Sequence, residues 1–445
     1  MSLWKIAWRS MQWRGLSSAL TALSMALGVA LIVAVLVMYG VLSRSFAKGA
    51  QGFDLIVGAK GGRLQLVLNT VYHLSTPIEN IPWTYYKEFR PGGKYASEVS
   101  AAIPYCLGDN FEGYRVVGTT AELFQIEYVP GEHYQFASGR NFESDHYFEA
   151  VIGSQVAYFT GLRVGSKFEP THGVSDDGQG HKHDAFRVVG ILDPTGTPND
   201  RALFVNIEGF FLLAGHAKEA PGESHAAHEH AHDHDHADSH EHHHEPLPEN
   251  QREVTAILVR TASPLVMLSL PRRINKEPFA QAVMPAREIY ALFEGILGNL
   301  RTVLLVLAVV VVVVASVGVM VSIYNSMSDR RREVAIMRSL GAGRRTVLVI
   351  VLLEATLLAL GGGLLGLAMG HGLIGALNPL IEAETGVSIG PWEFPMYDAR
   401  IGDVLELRVP LELVLIPGLI LAAIVAGLLP AVAAYRTDVA KTLSG

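Results

Sequence analysis

Apolar residues along this chain gather into four long runs, at residues 16–42, 302–324, 347–373 and 413–434. Each reaches the roughly 20 residues that a helix needs to cross a hydrocarbon core of about 30 Å. Three of the four carry no Asp, Glu, Lys or Arg. The pattern predicts four membrane-spanning helices. The first run is too long for the apolar core of a signal peptide, and no small-residue cleavage site closes it, so it reads as a retained helix.

Between the first and second runs the pattern changes. Short β-like runs at 115–118, 150–153, 186–192 and 254–259 are separated by Gly, Pro and Asp, which predicts an α+β domain. The fold class expected is therefore an α-helical membrane protein with four transmembrane helices and a large extracytoplasmic α+β domain, residues 43–283, between the first two. Apolar positions return to helical spacing over 284–301 and run straight into the second span, predicting a stalk helix continuous with it. Residues 1–15 set Trp4, Trp8 and Met11 at helical spacing, with Lys5, Arg9 and Arg14 between them. That is the pattern of a short helix lying in the membrane interface, and equally of a plain basic flank.

The basic residues decide orientation. Lys5, Arg9 and Arg14 precede the first span, Arg330, Arg331, Arg332, Arg338, Arg344 and Arg345 crowd the 325–346 link, and Arg436 and Lys441 lie in the 435–445 tail. All three clusters fall on one side, which should be the cytoplasm. The reading is a multi-pass membrane protein with cytoplasmic termini, a large external domain and a second external loop at 374–412.

Composition adds two constraints. The net charge of −8 owes seven acids to residues 223–245, which hold no Lys or Arg, so the rest carries about −1 and nothing points to nucleic acid. The single cysteine, Cys106, excludes an intrachain disulfide in a domain facing an oxidising compartment. Hydrophobic packing must stabilise that domain.

One segment cannot join such packing. Residues 215–250 form a low-complexity insertion with His225, His228, His230, His232, His234, His236, His240, His242, His243 and His244 interleaved with acids. With too little apolar surface to bury, it is expected to be disordered without a ligand. Neutral imidazoles suit Zn²⁺ and other divalent transition metals, so these histidines are candidate metal ligands, with His172, Asp176, Asp177, His181, His183 and Asp184 as a smaller group. The plainer alternative is a solvated loop that binds metal incidentally. No tightly bound cofactor is expected.

The most specific stretch is residues 325–347, NSMSDRRREVAIMRSLGAGRRTV. A short helix with apolar Val334, Ile336 and Met337 beside Glu333 and Arg338 could seat in a groove on a partner, or be a basic loop without one. The order of an Arg-rich helix end, an acidic-apolar turn, an Arg and then Leu-Gly-Ala resembles the cytoplasmic signature of the MacB/FtsX family of ATP-binding-cassette (ABC) permeases. The third run is also similar to that family, with Glu354 followed by Gly361, Gly362, Gly363, Gly366 and Gly370. The tail GLLPAVAAYRTDVAKTL from Gly427 resembles the family's closing motif, except that Val439 stands where proline is usual.

The resemblance implies an ATPase-coupling site at Arg331, Arg332, Glu333, Ile336, Arg338, Leu340, Gly341 and Ala342. It implies a cytoplasmic ABC ATPase dimer as partner, a second permease copy or a related permease, and the lipid bilayer, here the bacterial inner membrane with the large domain in the periplasm; a periplasmic or outer-membrane partner is a further candidate. Gly362, Gly366 and Gly370, four apart, are expected to let helices pack closely and to contribute to a permease dimer. Glu354 and His371 are read as structural.

ATP is expected on the partner alone. A P-loop needs Gly-x-x-x-x-Gly-Lys-[Ser/Thr] to hold phosphates, and the only Gly-Lys pair, Gly93-Lys94, is followed by Tyr95. The chain is thus not read as an enzyme. Two functions fit: a transporter permease that couples ATP hydrolysis to movement of its external domain, exporting or extracting a hydrophobic, peptide or lipid-linked substrate, or a regulatory permease-like sensor of an external ligand such as zinc.

Overall fold

The computed structural model describes residues 3–13, 15–172, 185–213, 246–329, 338–339, 341–385, 390, 396–401, 405–410 and 415–435. The helices in chain order are α1 Leu3–Trp13, α2 Gly15–Gly49, α3 Arg63–Tyr72, α4 Trp83–Lys87, α5 Ser154–Thr160, α6 Ile207–Leu212, α7 Pro264–Ile274, α8 Pro285–Leu292, α9 Gly298–Asp329, α10 Arg344–Thr385 and α11 Leu415–Tyr435. They belong to two compact units, one of residues Arg44–Leu292 and one of Met1–Ser43 with Phe293–Gly445.

The Arg44–Leu292 unit is built on a mixed sheet. Its main strands are β1 Leu55–Ala59, β2 Val99–Phe111, β3 Tyr114–Thr119, β4 Phe136–Gly139, β5 Glu149–Ile152, β6 Phe186–Leu192, β7 Ala202–Asn206, β8 Ala256–Thr261 and β9 Ala280–Val283. Their spatial order is β9-β1-β8-β2-β3-β7-β5-β6-β4. The apolar runs predicted as strands all lie in or against this sheet. Every residue of β1, β7 and β9 is buried, the polar Asn206 and Gln281 included. At 13 residues β2 is long enough to pair with β8 through Tyr105↔Ala256 and, further on, with β3 through Cys106↔Gly118. Two pairs are parallel, β3 with β7 and β5 with β6, the others antiparallel.

Tyr95, Phe186, Phe204, Ile103, Leu123 and Leu203 are among the largest fully buried side chains. Cys106 is buried as well, and burial pushes its thiol pKa up, so it packs as a small apolar group.

Two polar features punctuate this core. The buried carboxylate of Asp200 accepts the backbone N–H groups of Thr195 and Gly196, both at 2.8 Å, and the Thr195 hydroxyl at 2.9 Å, tying down the turn before β7. At the end of α3, His73 takes a left-handed backbone conformation with φ of 58°. Its ring nitrogens are buried, with the Asn199 side chain as a polar neighbour. Burial, reinforced by the positive charges of Arg115 and Arg201, pushes the His73 pKa down to about 3.

The other unit contains α1, the first part of α2, and α9, α10 and α11, around a core of Met25, Val29, Val33 and Val37 of α2, Ala315, Val319 and Ile323 of α9, Val351, Ala355 and Leu358 of α10, and Leu419, Ala423 and Ala426 of α11. Among the described residues, three helical stretches are long and apolar enough to cross a membrane, Gly15–Gly49, Pro285–Asn325 and Arg344–Ile381; Pro417–Val432 is a shorter apolar helix.

Two details differ from the sequence pattern. Helix α10 continues past the expected end of its span at residue 373 as far as Thr385, because Ile374 is buried and Ile381 packs on the core. The expected external loop also contains a hairpin, β10 Met396–Ile401 paired with β11 Leu405–Pro410.

The stalk stretch is α8, and it is followed directly by a π-helical turn, Phe293–Leu297, before α9. That turn is held within its unit by Tyr39 of α2. The Tyr39 hydroxyl donates to the Phe293 carbonyl at 3.3 Å, its ring meets the Phe293 ring edge-on, and the Arg301 guanidinium lies 4.5 Å from its centroid.

The His73 environment sets a pH dependence. A depressed folded pKa contributes stability that is complete above the unfolded value near 6.5 and is lost as pH falls through the window from 6.5 to about 3. Unfolding of the full chain in detergent should therefore become easier over that window, by up to ~1.4 kcal/mol per pH unit from this one group. His73→Asn, which tolerates the left-handed backbone, should flatten the slope. An unchanged slope in that variant would remove His73 as its source.

Candidate functional site

The stretch expected to couple to an ATPase is only partly within the described residues. Arg331, Arg332, Glu333, Ile336 and Leu340 lie outside them. Arg338 and Ser339 are helical, and the Gly341 N–H then donates to the Arg338 carbonyl at 3.1 Å. Gly341 has φ of 102°, a left-handed conformation that a side chain would strain. The chain thus turns at Gly341 and passes Ala342 before α10 starts at Arg344. This gives the Leu-Gly-Ala motif a local reason: the glycine permits the turn that precedes the next helix.

Gly362, Gly366 and Gly370 lie on one stripe of α10, and the structure shows what that stripe meets. A Cβ on Gly362 would stand 2.8 Å from the Ala22 carbonyl oxygen, one on Gly366 2.6 Å from that of Ala26, and one on Gly370 3.2 Å from that of Ala30. The same three positions would press on Met25, Val29 and Val33. Successive turns of α2 therefore lie directly against the stripe, backbone to backbone. The stripe is covered by the chain's own helix, so the close packing that the spacing predicts is made with α2.

Other small residues extend this packing. Gly28 of α2 faces Val312 of α9, Gly363 faces Leu419 of α11, and Gly427 of α11 faces Ala355 and Leu352 of α10. The Ser17 and Ser322 hydroxyls bond at 2.8 Å, joining α2 to α9. Glu354 and His371, read as structural from the sequence, are both buried in this unit.

Sequence reasoning passed over a second set of contacts, in the Arg44–Leu292 unit, where the last turns of α2 are fastened. Phe46 stacks on Tyr72 with ring centroids 4.7 Å apart, and the Tyr72 hydroxyl donates to the Phe46 carbonyl. The Lys48 ammonium donates to the Thr195 carbonyl at 2.9 Å and pairs with Glu132 at 3.2 Å. The signal available was the aromatic and basic character of residues just past an apolar run, which is common to many membrane-helix ends.

The ten histidines of the insertion lie outside the described residues. Among the described residues, no group of three or more His, Cys, Asp or Glu side chains is placed to hold a metal ion.

Comparison with known proteins bears on what this helix bundle and inserted domain are. Residues 18–265 match the MacB-like periplasmic core domain, and residues 305–439 match the FtsX-like permease C-terminal family. The chain belongs to the MacB/FtsX permease family. The FtsX-like match contains both residues 325–347 and the glycine stripe. Among curated relatives, the macrolide export ATP-binding/permease protein MacB of Rhodopirellula baltica is 32% identical over 121 residues, covering 27% of this permease and 18% of that protein. The uncharacterized ABC transporter permease MJ1507 of Methanocaldococcus jannaschii is 22% identical over 263 residues, 58% of this chain and 56% of its own length. The uncharacterized ABC transporter permease YknZ of Bacillus subtilis is 36% identical over 90 residues, 20% of this chain and 23% of its own. The matched stretches thus cover 18%, 56% and 23% of the lengths of these three relatives.

The glycine stripe makes a direct prediction. Gly366→Ala forces a methyl to within 2.6 Å of a backbone oxygen that cannot swing away, an overpacking cost of about 1–3 kcal/mol. Gly361→Ala, on the same helix with nothing within 4 Å of its Cβ position, should be neutral or slightly stabilising. Thermal unfolding of both variants in detergent should separate them by several degrees; equal melting temperatures would mean that α2 does not lie against this stripe.

Proposed function

We propose that this chain is the membrane-spanning permease subunit of an ABC transporter, working with a separate cytoplasmic ATPase and as a pair of permease copies. The observation that carries the reading is the joint family match in one chain, a MacB-like periplasmic core domain followed by an FtsX-like permease region. The stretch 329–345 is assigned to the ATPase because it combines basic and apolar side chains within one short segment and lies on the side where the basic clusters fall. In the proposed membrane arrangement, α11 supplies a fourth span, both termini are cytoplasmic and the inserted domain is periplasmic.

The mechanism follows from how the inserted domain is connected. Its polypeptide enters through α2 and leaves through the helical stretch from Pro285. ATP-driven rearrangement of the spans on the cytoplasmic side is then passed to the domain through helices rather than through slack loops. Four spans per copy leave little room for a wide hydrophilic channel, so the substrate class proposed is hydrophobic, peptide or lipid-linked molecules taken from the outer leaflet or periplasm. The test is charge reversal in the coupling stretch. Juxtaposed like charges cost several kcal/mol and each 1.4 kcal/mol is about tenfold in affinity, so Glu333→Arg and Arg338→Glu should each reduce co-purification with the ATPase at least tenfold while the melting temperature of the permease stays unchanged. Wild-type co-purification together with full ATP hydrolysis in both variants would refute the coupling assignment.

The histidine-rich insertion is proposed to bind divalent transition metal through its ten interleaved imidazoles, supported by composition alone. Deleting residues 223–245 should remove most Zn²⁺ binding in calorimetric titration of the full chain and leave its melting temperature unaltered. Retention of the full zinc stoichiometry would move the binding elsewhere.

A further inference from the structure

The amino-terminal helix α1 is not used by any of the packing or coupling described above, yet it is sharply divided around its circumference. Ala7 is fully buried and Met11 packs on the core of the membrane unit, where α1 lies against α10. Next to this anchored face stand Trp4 and Trp8, one turn apart and 55% and 49% exposed. About 100° further round the helix from each come Lys5 and Arg9, again one turn apart and both exposed. No Asp or Glu occurs anywhere before Asp54. The helix thus presents two parallel rows, indoles beside cations, with no carboxylate nearby in the sequence to neutralise the second row.

We propose that α1 is a docking surface for anionic phospholipid, with Lys5 and Arg9 contacting the headgroup phosphates and Trp4 and Trp8 seated at the boundary between headgroups and acyl chains. Three arguments select this occupant over a protein. Indole rings belong at that boundary, since they are apolar in body and polar at one edge. A basic row with no ion pair among the described residues complements a negative lipid surface and is attracted to it. Finally, the two rows are adjacent rather than opposed, so both can reach one planar surface while Ala7 and Met11 stay packed. Lipid bound here holds α1 down beside α10, the helix that follows the turn at Gly341.

The test uses the full-length chain in nanodiscs of phosphatidylcholine with and without phosphatidylglycerol, followed by native mass spectrometry of the lipids it retains. Wild-type protein should retain phosphatidylglycerol in preference to phosphatidylcholine, and raising the salt should erode that preference. With each basic residue near an anionic surface worth roughly fivefold, Lys5→Gln with Arg9→Gln should lower the preference by roughly twentyfold or more. The matched pair Arg163→Gln with Lys167→Gln, exposed residues of the inserted domain, should leave it intact. Trp4→Ala with Trp8→Ala should weaken retention of both lipids alike. Absence of a wild-type preference, or its persistence in the Lys5/Arg9 variant, overturns the proposal. So does a Lys5/Arg9 variant that loses a co-purifying protein while keeping its lipid preference, since that would make the row a protein contact.

Discussion

The membrane unit depends on how closely α2 can approach α10. In lipid, apolar side chains gain nothing by leaving solvent for one another, so helices are held by van der Waals contact and by polar groups brought close together. Contact of that kind needs backbones at short range. Three glycines on successive turns of α10 create it by removing the side chains that would otherwise stand between that helix and the carbonyl groups of Ala22, Ala26 and Ala30. With α2 seated, Met25, Val29 and Val33 fill the flanking space, and Gly28 on another face of α2 admits Val312 of α9. The core of the unit is thus organised around one helix.

The same helix supplies Phe46 and Lys48 to the inserted domain, where they meet Tyr72, Thr195 and Glu132. The domain itself uses a different physics. It has water to escape from and no disulfide, and its stability rests on fully buried strands and large aromatic side chains such as Tyr95, Phe186 and Phe204. Among the polar groups it buries, Asp200 fixes a turn with Thr195 and Gly196, and His73 is a titratable ring held neutral by burial and by its cationic neighbours.

The π-helical turn at Phe293–Leu297 sits where the stalk pattern passes into the second span. A π turn leaves the backbone less regularly bonded than an α-helix, and here the hydroxyl of Tyr39 reaches the Phe293 carbonyl. Arg301 covering the Tyr39 ring completes a small polar and aromatic cluster at one end of an otherwise apolar helix.

Much of this was legible in residue order. Long apolar runs, basic flanks and a change to short β-like runs follow from solvent alone, because a bilayer and water each demand a different periodicity from the chain. The Leu340-Gly341-Ala342 motif and the glycine spacing on α10 were visible too, with the family resemblance they carry. What only the tertiary structure decided is which surfaces those residues meet. Glycine spacing states that something approaches closely, but the partner could be the same chain or another, and the Cβ distances to Ala22, Ala26 and Ala30 assign it to α2. The extension of α10 to Thr385 depends on burial of Ile374 and packing of Ile381, contacts made with residues remote in sequence. The neutral state of His73 likewise comes from Arg115 and Arg201, which lie far along the chain and are brought near only by the fold. Periodicity records the solvent that each segment faces; proximity between segments is a property of the packed whole.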